Sequence, residues 1–258
     1  LTRGEKILGV PMEGYWCDIG TPRAYYQCCL DVLDGKVGDS PEPRPEQPLH
    51  LEMGCGKGIS TAKMIEDNPD INYIAVDISE DVLGDARRNI VREAGGRNPE
   101  NVYLLRKDIA MIETSLGPED RAERIYISFC NPWTARVGQA KRRLTHPRQL
   151  TQYRTFLADG GEIWFKTDDE ELYEDSLGYF LVCGFEPVRL TRDLHNSSFQ
   201  PNWESEHEIK FAGMGIPIKA AVFRKLSEDP GFDPTRYRLT PRAKEEALRQ
   251  LADGPWNE

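Results

Sequence analysis

The chain has no run of about 18 consecutive apolar residues, the least that a bilayer-spanning helix needs, so no membrane span is expected. It also lacks a charged segment leading into a short apolar stretch, so secretion is not expected and the protein reads as cytoplasmic. It begins at Leu1 rather than Met, which reads as a fragment or a processed form. Cysteine is sparse. Cys17, Cys28, Cys29, Cys55, Cys130 and Cys183 form no C-x-x-C pair, and the four histidines do not cluster with them. Neither a zinc site nor a disulfide framework is expected, and no metal is expected to bind. Positive charge is in deficit too: the net charge is −10. That excludes a protein that binds nucleic acid over its whole surface.

What is present is unevenly placed. Arg136, Lys141, Arg142, Arg143, Arg148 and Arg154 lie in one segment with His146 and no acidic residue. Exposed charges are screened beyond roughly 8 Å in physiological salt, so this local cluster matters more than the sum. Pro41, Pro43, Pro45 and Pro48 stand close together. They remove backbone donors and favour extended polyproline geometry, so 41–48 reads as a linker. The chain thus divides into residues 1–40, the linker, a domain over 49–226 and a tail over 227–258. The tail holds one predicted amphipathic helix, 241–251, whose role the sequence does not reveal.

Within the domain, short apolar runs predict strands at 49–53, 71–76, 102–105, 124–129, 161–166, 186–190 and 216–223. Helical patterns fall between them at 59–67, 79–94, 148–158 and 170–183. This alternation predicts an α/β fold with a mostly parallel seven-stranded sheet and helices on both faces. Ligands of such sheets bind beyond the carboxyl ends of the strands, near the topological switch point.

The first predicted strand runs into Glu52-Met53-Gly54-Cys55-Gly56-Lys57-Gly58. Gly54, Gly56 and Gly58 permit a tight turn and close approach to a ligand, and the helix that follows offers its first N–H groups. Dinucleotide sites use glycines in a related way. Here the spacing is G-x-G-x-G rather than G-x-G-x-x-G, and an acid stands two residues before the first glycine. A carboxylate beside the turn suits a cation, such as the sulfonium and ammonium of S-adenosylmethionine. Asp77 ends the second strand, where an acid can accept ribose hydroxyls. Asp108 follows the third strand, near the position of an adenine amino group. Each acid alone is as readily a helix cap or a loop residue. All three at successive strand ends point to S-adenosylmethionine.

The fourth strand ends in Phe129-Cys130-Asn131-Pro132-Trp133, followed by Lys141-Arg142-Arg143-Leu144-Thr145. Further on stand Lys166-Thr167-Asp168, Asp193-Leu194-His195-Asn196-Ser197 and Ser205-Glu206-His207-Glu208-Ile209-Lys210-Phe211. On these motifs residues 49–225 resemble the bacterial tRNA (guanine-N7-)-methyltransferases. That family shows L-E-I-G-C-G-K-G, N-F-x-D-P-W-P-K-K-R-H running into K-R-R-L, F-K-T-D, D-L-H-N-S and T-x-x-E-x-K-F. The resemblance implies a Rossmann-like class I methyltransferase that methylates N7 of the variable-loop guanosine, position 46, of tRNA. It implies that Glu52, Asp77 and Asp108 bind the cofactor, and that Asn131 is catalytic, at the position shared by cofactor and target base. Asp168, Ser205, Glu206, His207 and Glu208 would contact the guanosine. Lys141, Arg142 and Arg143 would engage tRNA phosphates.

Three departures from the family pattern stand out. Its aspartate is Asn131, its threonine is Ser205, and its P-K-K-R-H is Thr134-Ala135-Arg136-Val137-Gly138, with one residue more before Lys141. Serine keeps the hydroxyl, and Arg136 is the candidate to replace the lost loop lysine. Asn131 is tolerable on chemical grounds. Guanine N7 carries an in-plane lone pair and no proton, so in-line placement is needed rather than a general base. A carboxylate would also favour the cationic product; asparagine gives up that term but still hydrogen-bonds.

Residues 13–25, with Glu13-Gly14-Tyr15-Trp16-Cys17-Asp18-Ile19-Gly20-Thr21-Pro22 and then Tyr25, resemble the closing segment of sugar-nucleotide pyrophosphorylases. The glycine-rich nucleotide loop of that family is missing and forty residues cannot rebuild its core, so that activity is not expected. Two other readings of the domain remain at the level of sequence. Asn131-Pro132-Trp133 echoes the N-P-P-Y loop of adenine amino-group methyltransferases, and the loop departures also suit a non-catalytic cofactor- or RNA-binding module.

Overall fold

A computed structural model of the chain describes residues 46–134, 138–228, 230–231, 233 and 236–258. Residues 1–45, which hold the pyrophosphorylase-like motif and most of the proline linker, lie outside the described residues, as does Arg136.

Seven strands form one sheet in the order β3-β2-β1-β4-β5-β7-β6. They are β1 (Leu49–Met53), β2 (Asn72–Asp77), β3 (Val102–Arg106), β4 (Ala122–Ser128), β5 (Leu157–Thr167), β6 (Phe185–Thr191) and β7 (Lys219–Lys225). β7 runs antiparallel to both of its neighbours and the remaining pairs are parallel. The helices are α1 (Ile59–Asp67), α2 (Glu80–Glu93), α3 (Pro147–Phe156), α4 (Glu170–Val182), α5 (Glu206–Gly213) and α6 (Pro241–Ala252). From β1 the chain builds outward to β2 and β3, then returns to place β4 on the other side of β1. The switch point therefore lies between β1 and β4, where a ligand crevice is expected.

The pleat divides the strands into two chemically different faces. Leu51, Met53, Ile125, Ile127, Ile163, Phe165 and Phe223 pack on one side against α3 and α4 in the main core. Full burial of such side chains contributes about 1.5–3 kcal/mol each, so this layer supplies most of the driving force. On the other side lie His50, Glu52, Tyr73, Tyr126, Trp164 and Lys166, partly covered by Ala62, Met64 and Ile65 of α1. That face buries polar groups and must satisfy them.

Two strand starts lie furthest from the sequence expectation. β5 starts at Leu157 rather than 161, because α3 ends at Phe156 and the next residue is already extended. Gly160, at φ 78°, lies where the register with β4 shifts between Ala122 and Arg124. β7 starts at Lys219 rather than 216, after Pro217, which has no N–H to give a ladder. Helix caps follow local sequence: Ser79, Asp169, Ser205 and Thr240 each accept a backbone N–H three residues on.

The tail is part of the same core. α6 lies along α4 and buries Ala247 and Leu251. Beyond it, Leu190 N–H of edge strand β6 donates to Trp256 O at 2.7 Å and Glu258 N–H donates to Leu190 O at 3.0 Å. Among the described residues no helix is long and apolar enough to cross a membrane.

Candidate active site

The turn after β1 puts Gly54, Gly56 and Gly58 at φ 83°, 54° and 67°, a region that costs other residues about 1–2 kcal/mol. Gly58 and Gly56 serve different ends. A Cβ on Gly58 would lie 3.0 Å from Ala86 Cβ, so this glycine lets α1 and α2 approach. A Cβ on Gly56 would meet nothing within 4 Å, so this glycine faces open space. Asp77 ties the turn to β2: its carboxylate accepts Gly56 N–H at 3.1 Å and Ser79 N–H at 3.0 Å. Those bonds leave lone pairs on both oxygens for further donors. Gly58 caps α1 without a side-chain hydrogen bond. Asp108 is exposed at the end of β3 and accepts Ala110 N–H at 2.9 Å.

Glu52 is placed differently from its expected role of meeting a cationic ligand. It is 2 % exposed and lies beneath the turn, accepting hydrogen bonds from Ser60 Oγ at 2.7 Å and from Thr61 Oγ1. Burial raises its pKa, while the two hydroxyls and the nearby Lys166 ammonium oppose that rise. Its carboxylate pins the first turn of α1 to the end of β1, so it shapes the glycine turn from behind.

Beside that turn, β4 ends in a constrained loop. Phe129 and Trp133 hold φ of 53° and 49°, conformations that bulky side chains disfavour. Between them Asn131 is exposed, and its Oδ1 accepts Trp133 N–H at 2.9 Å. Its amide NH₂ remains as the polar end. Trp133 is covered by the Arg142 guanidinium, 5.0 Å from the ring centroid. Burial pushes the Cys130 thiol up to about 12, so it carries no nucleophile at neutral pH.

The basic run divides by burial. Lys141 and Arg142 are exposed, as an expected phosphate contact requires. Arg143 is corrected: it is 2 % exposed and faces inward. Its Nη1 donates to Asp175 at 2.5 Å, its Nη2 to Glu171 at 3.0 Å and its Nε to the carbonyl of Pro132 at 2.6 Å. A guanidinium buried among three protein acceptors is shut off from a phosphate in solvent.

The Ser205–Glu208 motif forms the start of α5. Ser205 Oγ accepts Glu208 N–H at 3.2 Å, which makes it a helix cap. Glu206 is exposed and pairs with Lys57 at 3.1 Å. His207 is exposed and stacks on Phe129, ring centroids 6.2 Å apart and planes 19° apart. Glu208, expected at the guanosine, is fully buried instead. It accepts from Lys166 Nζ at 2.7 Å and Asn202 Nδ2 at 2.6 Å and lies 3.2 Å from His195 Nε2. Lys166 also donates to Asn202 Oδ1 at 2.8 Å and Trp203 O at 3.0 Å. Sequence reasoning missed this anchor, because the lysine of a K-T-D motif looks like any strand lysine until its burial is known. It fastens α5, and with it His207, to β5. Asp168 is half-buried at the end of β5, and its carbonyl accepts Lys219 Nζ at 2.9 Å. His195, Glu204 and Glu208 bring ligand atoms within 4.8 Å of one another, but the Lys166 ammonium already supplies positive charge to Glu208.

A parallel sheet with β7 reversed, a glycine turn after β1 and acids at the next two strand ends define a Rossmann-like methyltransferase. A family described as "Putative methyltransferase" matches residues 46–221. The tRNA (guanine-N(7)-)-methyltransferase of Clostridium perfringens (strain SM101 / Type A) is 54 % identical over 183 residues, 70 % of this chain and 83 % of that protein. That of Clostridium beijerinckii is 50 % identical over 182 residues, with the same coverage. The chain belongs to the tRNA (guanine-N7-)-methyltransferase family. Among solved structures, the 16S rRNA methyltransferase KamB is similar at 11 % identity and a TM-score of 0.49, over 70 % of this chain and 88 % of that one.

Proposed function

We propose that the protein transfers the methyl group of S-adenosylmethionine to N7 of a guanosine in the variable loop of tRNA, position 46. The observation that carries this reading is the meeting of two features at the switch point. The open glycine turn after β1 and the Asn131 loop after β4 end side by side, and Leu144 of the basic run reaches Gly54. The residues fit the cofactor: open space at Gly56, spare lone pairs on Asp77 and an exposed Asp108.

S-adenosylmethionine, when bound, supplies an electrophilic methyl on a positively charged sulfur. Asp77 takes the ribose hydroxyls, Asp108 lies toward the adenine, and Glu52 acts through the turn it pins. Guanine N7 would accept that methyl on its lone pair, the carbon–sulfur electron pair leaving with sulfur, so the residues here have only to hold N7 and the methyl in line. No proton moves, so no residue has to act as a base. Asn131 aligns the base with the methyl by hydrogen bonding, an orientation effect. Asp168 and the exposed Glu206 and His207 border the guanosine, while Ser205 and Glu208 hold α5 in place. Lys141, Arg142 and Arg136 meet the tRNA backbone. A tRNA substrate supports a cytoplasmic location.

Incubation with labelled S-adenosylmethionine and unmodified tRNA, followed by nucleoside analysis, tests the proposal. N7-methylguanosine is expected. N6-methyladenosine would mean an amino-group methyltransferase, and cofactor binding without transfer would mean a binding module.

A further inference from the structure

The family match stops at residue 221, yet the segment beyond it is linked to the Asn131 loop. Leu239 closes on α4 at Gly178, where a Cβ would lie 3.1 Å from Leu239 Cδ1. From α6, Lys244 Nζ lies 2.9 Å from Asp175 Oδ1 and 3.1 Å from Glu174 Oε2. The other oxygen of Asp175 accepts from Arg143 Nη1, and Arg143 Nε donates to the carbonyl of Pro132. Lys244, Asp175, Arg143 and Pro132 thus form one unbroken row, mostly out of solvent, that ends between Asn131 and Trp133.

We propose that the C-terminal segment positions the Asn131 loop through this row. Arg143 is the positioning residue that fixes the Pro132 carbonyl, and Lys244 is the residue that fixes Asp175 behind it. The loop needs such support, because Phe129 and Trp133 sit in backbone conformations that persist only when the surroundings hold them. The arginine fork reaches three acceptors from one side chain, which a lysine ammonium on the same stem does not reproduce. Asp175 carries a cation on each oxygen, so its carboxylate plane is set from both sides. With Lys244 removed the plane is set from one side alone, and Arg143 gains freedom that passes to Pro132.

The kinetic consequence rests on the proposed methyl transfer; the placement of the loop does not. The experiment therefore has two arms, both on the full chain. Hydrogen exchange is measured on a peptide covering 129–134, and the single-turnover methylation rate is measured at saturating tRNA and cofactor. Lys244→Met is expected to speed exchange of that peptide by about threefold or more while a peptide over β3 stays unchanged. It lowers the single-turnover rate by about three- to tenfold with cofactor Kd within about twofold of the parent. Lys244→Arg restores both readouts, and Arg143→Lys gives the larger loss in both. Unchanged exchange in Lys244→Met overturns the proposal, as does faster exchange throughout the domain with an equal loss of cofactor affinity. A parent protein that binds cofactor but methylates no tRNA refutes the proposed function, and the exchange arm still decides this inference.

Discussion

Asn131 is the residue proposed to orient the base: its oxygen accepts Trp133 N–H, and its amide NH₂ offers the donors. Asn131→Ala should lower the single-turnover methylation rate by about 10- to 100-fold, the usual cost of losing in-line placement, while cofactor affinity falls much less. An unchanged rate would remove Asn131 from the mechanism. Two histidines give a second outcome at this scale. Burial, with Arg124 nearby, pushes His50 down to about 4, and burial with Arg143 and Arg148 does the same to His146. The unfolded chain binds these protons near pH 6.5, so between 6.5 and 4 it holds protons that the folded protein refuses. Stability is therefore fully present above that window and is lost as pH falls through it. The urea midpoint should be lower at pH 5 than at pH 7, and His50→Gln should flatten the difference. The raised pKa of Glu52 acts in the opposite sense, so a parent and a variant insensitive to pH alike would remove His50 as the cause. Such environments were not legible beforehand. Arg142 and Arg143 are chemically identical in the sequence, and only burial separates the ring cover from the interior fork.

At the scale of elements, the glycine turn shows how one motif holds two kinds of requirement. Gly56 and Gly58 share the left-handed backbone, so alanine at either costs roughly 1–2 kcal/mol in conformation. Gly58→Ala should cost more, because its Cβ would press on Ala86 backbone and side chain and push α1 from α2. Gly56→Ala meets no protein atom and should instead weaken S-adenosylmethionine binding. Denaturant midpoints and cofactor titrations on the two variants check this together, and equal losses of affinity would contradict it. The motif's position, its glycines and the acids after β2 and β3 were readable, since turn geometry and strand-end chemistry are local. Glu52 and Glu208 were readable as important but not as buried. Their hydroxyl and ammonium partners, Ser60, Thr61 and Lys166, are fixed by how α1 and α5 lie on the sheet.

Over the whole molecule, a chain of net charge −10 must approach a polyanion through a local patch. Lys141 and Arg142 are exposed and are the residues proposed to form it. Affinity for tRNA should fall with salt, and Arg142→Ala should reduce the slope of log K against log[salt] by about one contact. Binding assays from low to physiological salt check this; an unaltered slope would take Arg142 off the tRNA path. Arg143 should behave otherwise, since its guanidinium is buried inside the protein. The tail shows the same division at larger scale. Its helix was predictable from periodicity, but its place against α4 and its reach to Asp175 depend on contacts between residues far apart in sequence.

By itself the sequence determined the order of strands and helices, the glycine turn with its acids, the Asn131 loop and the membership in a tRNA-modifying family, because periodicity, turn residues and motif spacing are properties of neighbouring positions. The tertiary structure alone decided which charges face solvent. The pairing of Lys166 with Glu208 and of Arg143 with Asp175 arises only when distant segments exclude water together, since an ion sheds its hydration in the interior only where a partner is already in place.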